Sequence, residues 1–316
     1  MSKKKKNLSR RDFLKNTASL AVMGSAGVSI FCNKKPPPAP TIPKPSTQPV
    51  ETKIAKPRAK VVLIRDQKVL DADRRVQPAH LEKMIDDAVV ALTGEPTPAA
   101  AWARLIRPED TVGIKTNAWR FIPVPPELEQ AVRQRVEGAG VAAERIAIDD
   151  RGVLDNPVFQ KATALINMRC SRTHHWAGVG SCIKNYIMFS PEPSSWHEDS
   201  CANLGGLWEL PRVKGKTRLN VLVMLTPLFH GKGPQHFQPA YTWAYQGLVV
   251  GQDPVAVDAT GLRILTAKRR EHFGKDEPFY VSPKHIQVAE EKYGMGVADP
   301  SRIDVIKLGW AEAALI

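Results

Sequence analysis

The chain has only four cysteines in 316 residues, and no Cys-x-x-Cys pair occurs among them. That excludes a disulfide-dense miniprotein, and it leaves no motif for a ferredoxin-type cluster. No Gly-x-Gly-x-x-Gly follows an apolar run, so a Rossmann-type NAD site has no support. The segment Gly231-Lys232-Gly233-Pro234 lacks the spacing and the hydroxyl residue of a phosphate-binding P-loop. No Gly-x-Ser-x-Gly elbow marks a hydrolase nucleophile. No internal repeat occurs, and no apolar run is long enough to cross a bilayer. Apolar residues at 43% and charged residues at 24% are ordinary for a globular protein with a sizeable core.

The formal charge of +13 is unevenly placed. Residues 1–35 hold nine Lys or Arg and one Asp, and residues 36–60 hold five basic residues and one Glu. The remainder holds 31 basic and 30 acidic residues. The body is therefore nearly neutral, which argues against a nucleic-acid-binding domain. The basic excess belongs to an address. Lys3 to Lys6 precede Ser9-Arg10-Arg11-Asp12-Phe13-Leu14-Lys15, and a mildly apolar stretch runs from Thr17 to Phe31. As a helix, that stretch reaches ~22 Å, short of the ~30 Å hydrocarbon core. This anatomy predicts an export signal over residues 1–35. Its core resembles the twin-arginine pattern Ser-Arg-Arg-x-Phe-Leu-Lys at every specified position. The expected location is the periplasm or cell envelope, with the twin-arginine export machinery as partner. Membrane contact is expected only through the signal or a lipid anchor. Cys32 is the candidate lipid-bearing residue, although bulky Phe31 stands where lipoprotein signals place a small one. Residues 36–60 form a linker, with seven prolines between Pro36 and Pro49 keeping it extended.

Residues 61–316 alternate apolar runs with helical periodicity. Strands are expected at Val61–Ile64, Thr111–Lys115, Arg145–Asp149, Ala164–Asn167, Leu219–Leu225, Gly247–Val250 and Ile303–Leu308. Helices are expected after Pro78, over Glu127–Glu137, after Asp253-Pro254 and after Ser282-Pro283. The pattern predicts an α/β protein with a mixed, largely parallel sheet flanked by helices. A long irregular insert interrupts it from Cys170 to Lys216.

Ligands of open α/β sheets bind at the carboxyl ends of strands. Lys115-Thr116-Asn117, Asp149-Asp150-Arg151 and Asp253 each follow a strand and are expected to converge. Lys115, Asn117, Arg172, Lys184 and Asn185 are candidates for holding a small anion, with Lys232 as a further cation. His174 and His197 are candidate acid–base groups, and Asp253 with Asp258 would orient the site. Asp253 can equally serve as a helix cap alone. His197-x-x-x-Cys201 has the compact spacing of a zinc or iron ligand pair. The alternatives there are buried thiols with ordinary histidines, or one disulfide with a spare cysteine.

With these residues in place, the body resembles the bacterial family known as domain of unknown function 362. The resemblance runs from about Val61 to Leu308. Val112-Gly113-Ile114-Lys115-Thr116-Asn117 is similar to the family's strand ending in Lys-Pro-Asn, with Thr116 in the proline's place. Ala177 to Tyr186, containing Gly178-Val179-Gly180 and Lys184-Asn185, is similar to its glycine-led Leu-Lys-Asn segment. Gly251-Gln252-Asp253-Pro254-Val255-Ala256-Val257-Asp258-Ala259 is similar to its Asp-Pro-Val-Ala-x-Asp-Ala signature. Arg172-Thr173-His174 keeps the histidine that often precedes the glycine turn and replaces the family's lysine. The expected function is an exported envelope enzyme, metal-dependent or redox-linked, acting on a small anionic substrate. The alternatives are a non-catalytic ligand-binding protein, or an accessory partner of an exported redox enzyme docking through Trp176, Trp196 and Trp208.

Overall fold

The structure, a computed structural model, describes residues 57–316. The expected leader, Cys32 and nearly all of the linker lie outside the described residues.

Eight strands form one mixed sheet. They are β1 (Ala59–Arg65), β2 (Val112–Lys115), β3 (Ile146–Asp149), β4 (Ala164–His174), β5 (Gly178–Gly180), β6 (Thr217–Leu228), β7 (Gly247–Gly251) and β8 (Ile303–Gly309). Their order across the sheet is β3-β2-β4-β6-β7-β1-β8, with β5 folded back onto the end of β4. The β3-β2, β2-β4, β4-β6 and β1-β8 pairings are parallel, whereas β7 is antiparallel to both β6 and β1. Apart from β7 and β5, every strand therefore points its carboxyl end to the same edge.

The alternation of side chains in each strand divides the core into two layers. Val62, Ile64, Ile114, Ile166, Met168, Val221 and Val223 face helices Pro78–Thr93, Pro98–Leu105 and Pro126–Gly138. Val61, Leu63, Leu222, Met224 and Val249 face helices Pro254–Phe273 and His285–Glu291. A third cluster around Phe159, Leu165, Tyr186 and Phe189 extends the second layer. Gly113 makes room for it, because a Cβ there would lie 2.7 Å from the Phe159 ring. Helix Pro78–Thr93 buries Leu81, Met84, Ile85, Ala88, Val89 and Leu92, the stripe that the 3.6-residue period predicts. No helix among the described residues is long and apolar enough to cross a membrane.

Two expectations need correction. The long irregular insert begins later than Cys170, because β4 runs on to His174 and pairs there with β5. The helix after Ser282-Pro283 is capped at Lys284 and begins at His285.

Candidate functional site

At the carboxyl ends of β2, β3 and β4 lies a cleft of 220 Å³. Asn117, Asp150, Arg169, Arg172, His174, Lys184, Asn185 and His197 contribute to its wall. Its base is an ion pair. Lys115 is fully buried at the end of β2, and its Nζ donates to Asp150 Oδ1 at 2.5 Å and to the Thr116 carbonyl at 2.6 Å. Burial lowers the Lys115 ammonium to a pKa of about 8, against the pull of Asp150. Burial pushes the Asp150 carboxyl up, but Lys115, the Ala118 amide and Arg169 outweigh it and hold the group below the usual carboxylate value. Asp150 therefore remains an anion at neutral pH.

Around that one carboxylate stand more cations than it can neutralise. Arg169 and Arg172 come from β4 and are both buried. An Arg169 terminal nitrogen, Nη1, donates to Asn185 Oδ1 at 3.2 Å, and Arg172 Nη1 donates to Asn117 Oδ1 at 2.8 Å. The Nε of each is buried with no hydrogen-bond partner among the described residues. Gly180 lets the Arg169 guanidinium lie alongside β5, since a Cβ there would come within 3.1 Å of it. Lys184 is 3% exposed, and its only hydrogen-bond partner among the described residues is the Cys201 sulfur at 3.8 Å. Burial lowers its pKa to about 8. Unpartnered buried donors of this kind cost free energy unless something accepts from them.

The chain holds Lys184 and Asn185 in place by two devices. Asn185 belongs to a buried amide network in which it donates to Asn167 Oδ1 at 2.8 Å, while Asn167 donates to Asn220 Oδ1 at 2.9 Å. The second device is Asp258, on helix Pro254–Phe273. It accepts from the Ser181 hydroxyl at 2.6 Å and from the amides of Cys182 and Ile183 at 2.8 Å each. Those groups open the short turn Cys182–Asn185. Asp258 does not line the cleft, so it is a positioning residue. Burial raises its carboxyl to about 6 despite these donors. A raised carboxyl binds more protons folded than unfolded, so its stability contribution is complete below about pH 4 and is lost as pH rises through about 6. Asp258→Asn is expected to remove that part of the pH–stability curve, measured by denaturant titration across pH 4–7. An unchanged slope would exclude Asp258 as its source.

The two candidate histidines differ. His174 Nδ1 accepts from the Trp176 amide at 3.2 Å, so its proton is on Nε2. Burial and the nearby cations keep it neutral. His197 is half-buried, and burial with the Lys184 charge lowers it to about 4. It is therefore a neutral imidazole at pH 7, and a weak base while the cleft holds no anion.

Asp253 does not join this group. β7 is reversed, so its carboxyl end lies at the opposite sheet edge from Lys115. Asp253 accepts from Val255 and Ala256 as a helix cap and from the Val297 amide at 2.9 Å. The expected convergence fails there because strand direction, not strand order along the chain, decides which edge a residue reaches. Lys232 is also outside the cleft, with its ammonium 4.5 Å above the Tyr280 ring.

The His197–Cys201 pair does not fit a metal ion. No group of three or more His, Cys, Asp or Glu side chains is placed to hold one among the described residues. The Lys184 ammonium against the Cys201 sulfur further opposes a second cation. Cys170, Cys182 and Cys201 are free and buried. Of the three tryptophans of the insert, Trp208 packs on Tyr186 and donates to the Ile183 carbonyl, and Trp196 donates to Ser190. Only Trp176 is exposed.

Asp150 joins the site as its strand end implies, and Arg169, Asn167 and Asn220 complete it beyond the expected residues. Asparagines inside otherwise apolar strands were the available signal for two of them. A larger cavity of 440 Å³ lies at the ends of β1 and β8. Its buried cation and its main ion pair are already answered. Lys83 pairs with Asp87, and Arg65 donates to the Tyr245 and Glu312 carbonyls between the Tyr245 and Trp310 rings. The smaller cleft is therefore the better candidate, because it alone of the two leaves buried cations unanswered.

A family model described as Domain of unknown function (DUF362) matches residues 153–263. That span takes in β4 to β7, the turn bearing Lys184 and Asn185, and half of the Asp253-capped helix, while Lys115 and Asn117 precede it. Comparison with curated proteins and with solved structures gives no match.

Proposed function

We propose that the protein is an exported cell-envelope enzyme of the DUF362 type that binds a small oxyanionic substrate in the β2–β3–β4 cleft. The observation that carries this reading is the surplus of buried cationic donors, with Arg169 Nε, Arg172 Nε and the Lys184 ammonium lacking oxygen acceptors. A phosphate or carboxylate would satisfy them with charge-assisted hydrogen bonds. Asn117 and Arg172 hold one side of the anion, Lys184 and Arg169 the other, and His174 offers its Nε2–H. His197 on the wall favours chemistry over binding alone, because a bound anion raises its pKa from about 4 and makes it a stronger proton acceptor. Thermal denaturation with inorganic phosphate, sulfate or succinate tests the anion site. At a hundredfold excess over Kd, a rise of about 5 °C or more is expected. No rise with any of the three would remove the reading.

Export by the twin-arginine route rests on Ser9-Arg10-Arg11-Asp12-Phe13-Leu14-Lys15. The double variant Arg10→Lys, Arg11→Lys is expected to accumulate unprocessed in the cytoplasm, followed by fractionation and immunoblotting. Unchanged export of that variant would refute this route.

A further inference from the structure

We infer that the ligand of the cleft is an aromatic organic anion, whose phosphate or carboxylate enters among the cations while its planar body lies on the rings at the mouth. This deepens the anion-site reading and rests on it.

Few large apolar side chains are left in water. Among the described residues, the exposed large hydrophobic side chains are Phe121, Trp176 and Tyr280. Scattered singly, such residues need no explanation. Here two of them, Phe121 and Trp176, are joined to the same cleft. Trp119 lines the cleft under the Arg172 guanidinium, which sits 4.5 Å from its ring. From Trp119 the rings continue outward to Phe121 at 5.2 Å, and Phe121 stacks on Phe237 at 4.6 Å. On the other side, His197 lines the cleft and Trp176 lies 4.1 Å from it, with His175 a further 4.3 Å from Trp176. Tyr280 lies apart from the cleft, under the Lys232 ammonium.

Two aromatic paths therefore lead from the cationic floor to solvent and end in exposed rings. Phe121 has no polar end to gain from water, so its exposure beside a charged cleft is explained by a partner that covers it. The cleft volume of 220 Å³ is smaller than the roughly 300 Å³ at which ordinary ligand pockets begin. A larger ligand must extend across the mouth, where ring faces are what it meets. A bare oxyanion would use the cations and leave both aromatic paths idle.

The test is calorimetric titration of the purified protein with inorganic phosphate, ethyl phosphate and 1-naphthyl phosphate, and with propionate and 1-naphthoate. Within the better-bound head group, the naphthyl compound is expected to bind about tenfold tighter than its alkyl counterpart. Trp176→Ala and Phe121→Ala change exposed residues outside the cationic floor. Each is expected to cut that advantage about threefold while the alkyl compound binds as before. Equal binding of naphthyl and alkyl compounds would overturn this inference and leave the anion site standing. An advantage undiminished in both variants would also overturn it. Failure of all five compounds to bind would overturn both readings.

Discussion

Asp150→Ala is expected to destabilise the fold by about 3–5 kcal/mol, because it strands a buried lysine. Lys115 is completely buried, while the Asp150 side chain keeps 11% of its exposure. The two partners are therefore not equivalent. Without Asp150, Lys115 retains the Thr116 carbonyl and a 3.5 Å contact to Asn185, neither of which carries charge. Without Lys115, as in Lys115→Met, the carboxylate keeps the Ala118 amide and some water, so the loss should be smaller. The double variant Asp150→Leu, Lys115→Met should recover much of the loss, since removing both charges ends the desolvation cost. Urea titration of the three proteins gives the comparison. Asp150 is also what holds the Lys115 pKa up at about 8, so in Asp150→Ala the buried lysine should give up its proton at neutral pH and the surplus of charge in the cleft should stay as it is. A variant of ordinary stability would contradict this assignment.

The second large effect concerns Lys184. Lys184→Met keeps the length and apolar stem of the side chain and removes only its charge. A charged hydrogen bond contributes about 1.5–3 kcal/mol, so anion affinity should fall roughly ten- to a hundredfold. The same residue predicts the pH dependence. Its pKa, lowered to about 8, makes the wild-type cleft lose a cation as pH rises through that value, so anion binding should weaken there. Stability runs the other way. Between about pH 8 and the ordinary lysine value near 10.5, the folded state binds fewer protons than the unfolded state. The contributions of Lys115 and Lys184 to stability therefore rise with pH across that window. In Lys184→Met, the fall in anion affinity through pH 8 should flatten, and part of the stability rise should disappear. Calorimetric titration with phosphate from pH 6.5 to 9.5 reads both proteins. A wild-type affinity independent of pH over this range would exclude Lys184 as the anion's partner.

The layers of the fold were legible because their signals are local. The apolar period of helix Pro78–Thr93, the short apolar runs of β1 and β2, and the Asp253-Pro254 cap all depend on neighbours in the chain. What escaped depends on distant partners. The apolar pattern of β4 stops at Asn167, because Arg169, Ser171, Arg172 and Thr173 look like surface residues. They are buried because Asn185 and Asn117 come from elsewhere to receive the arginines. Arg169 therefore carries no local signal of its place in the site. The direction of β7 has no local signal. The stretch between Leu228 and Gly247 is long enough for a parallel crossover, and only the pairing of β7 with β6 and β1 makes it antiparallel and sends Asp253 away from the cleft. Lys115 is expected at the site from its strand end, and Lys184 and Asn185 as candidate anion ligands after the Gly178-Val179-Gly180 turn. The amide network through Asn167 and Asn220 that sets their positions is not expected, because asparagine in a strand shows its partner only when the strands are assembled.

The central claim is that buried guanidinium and ammonium groups in the β2–β3–β4 cleft await an anion. A crystal structure of the protein purified in chloride buffer and soaked with inorganic phosphate tests it most directly. The account predicts tetrahedral density within hydrogen-bond reach of Arg172 Nε and Lys184 Nζ, absent from the Lys184→Met crystal under the same soak. A cleft that holds only water after the soak, or a cation bound beside Cys201, would contradict it.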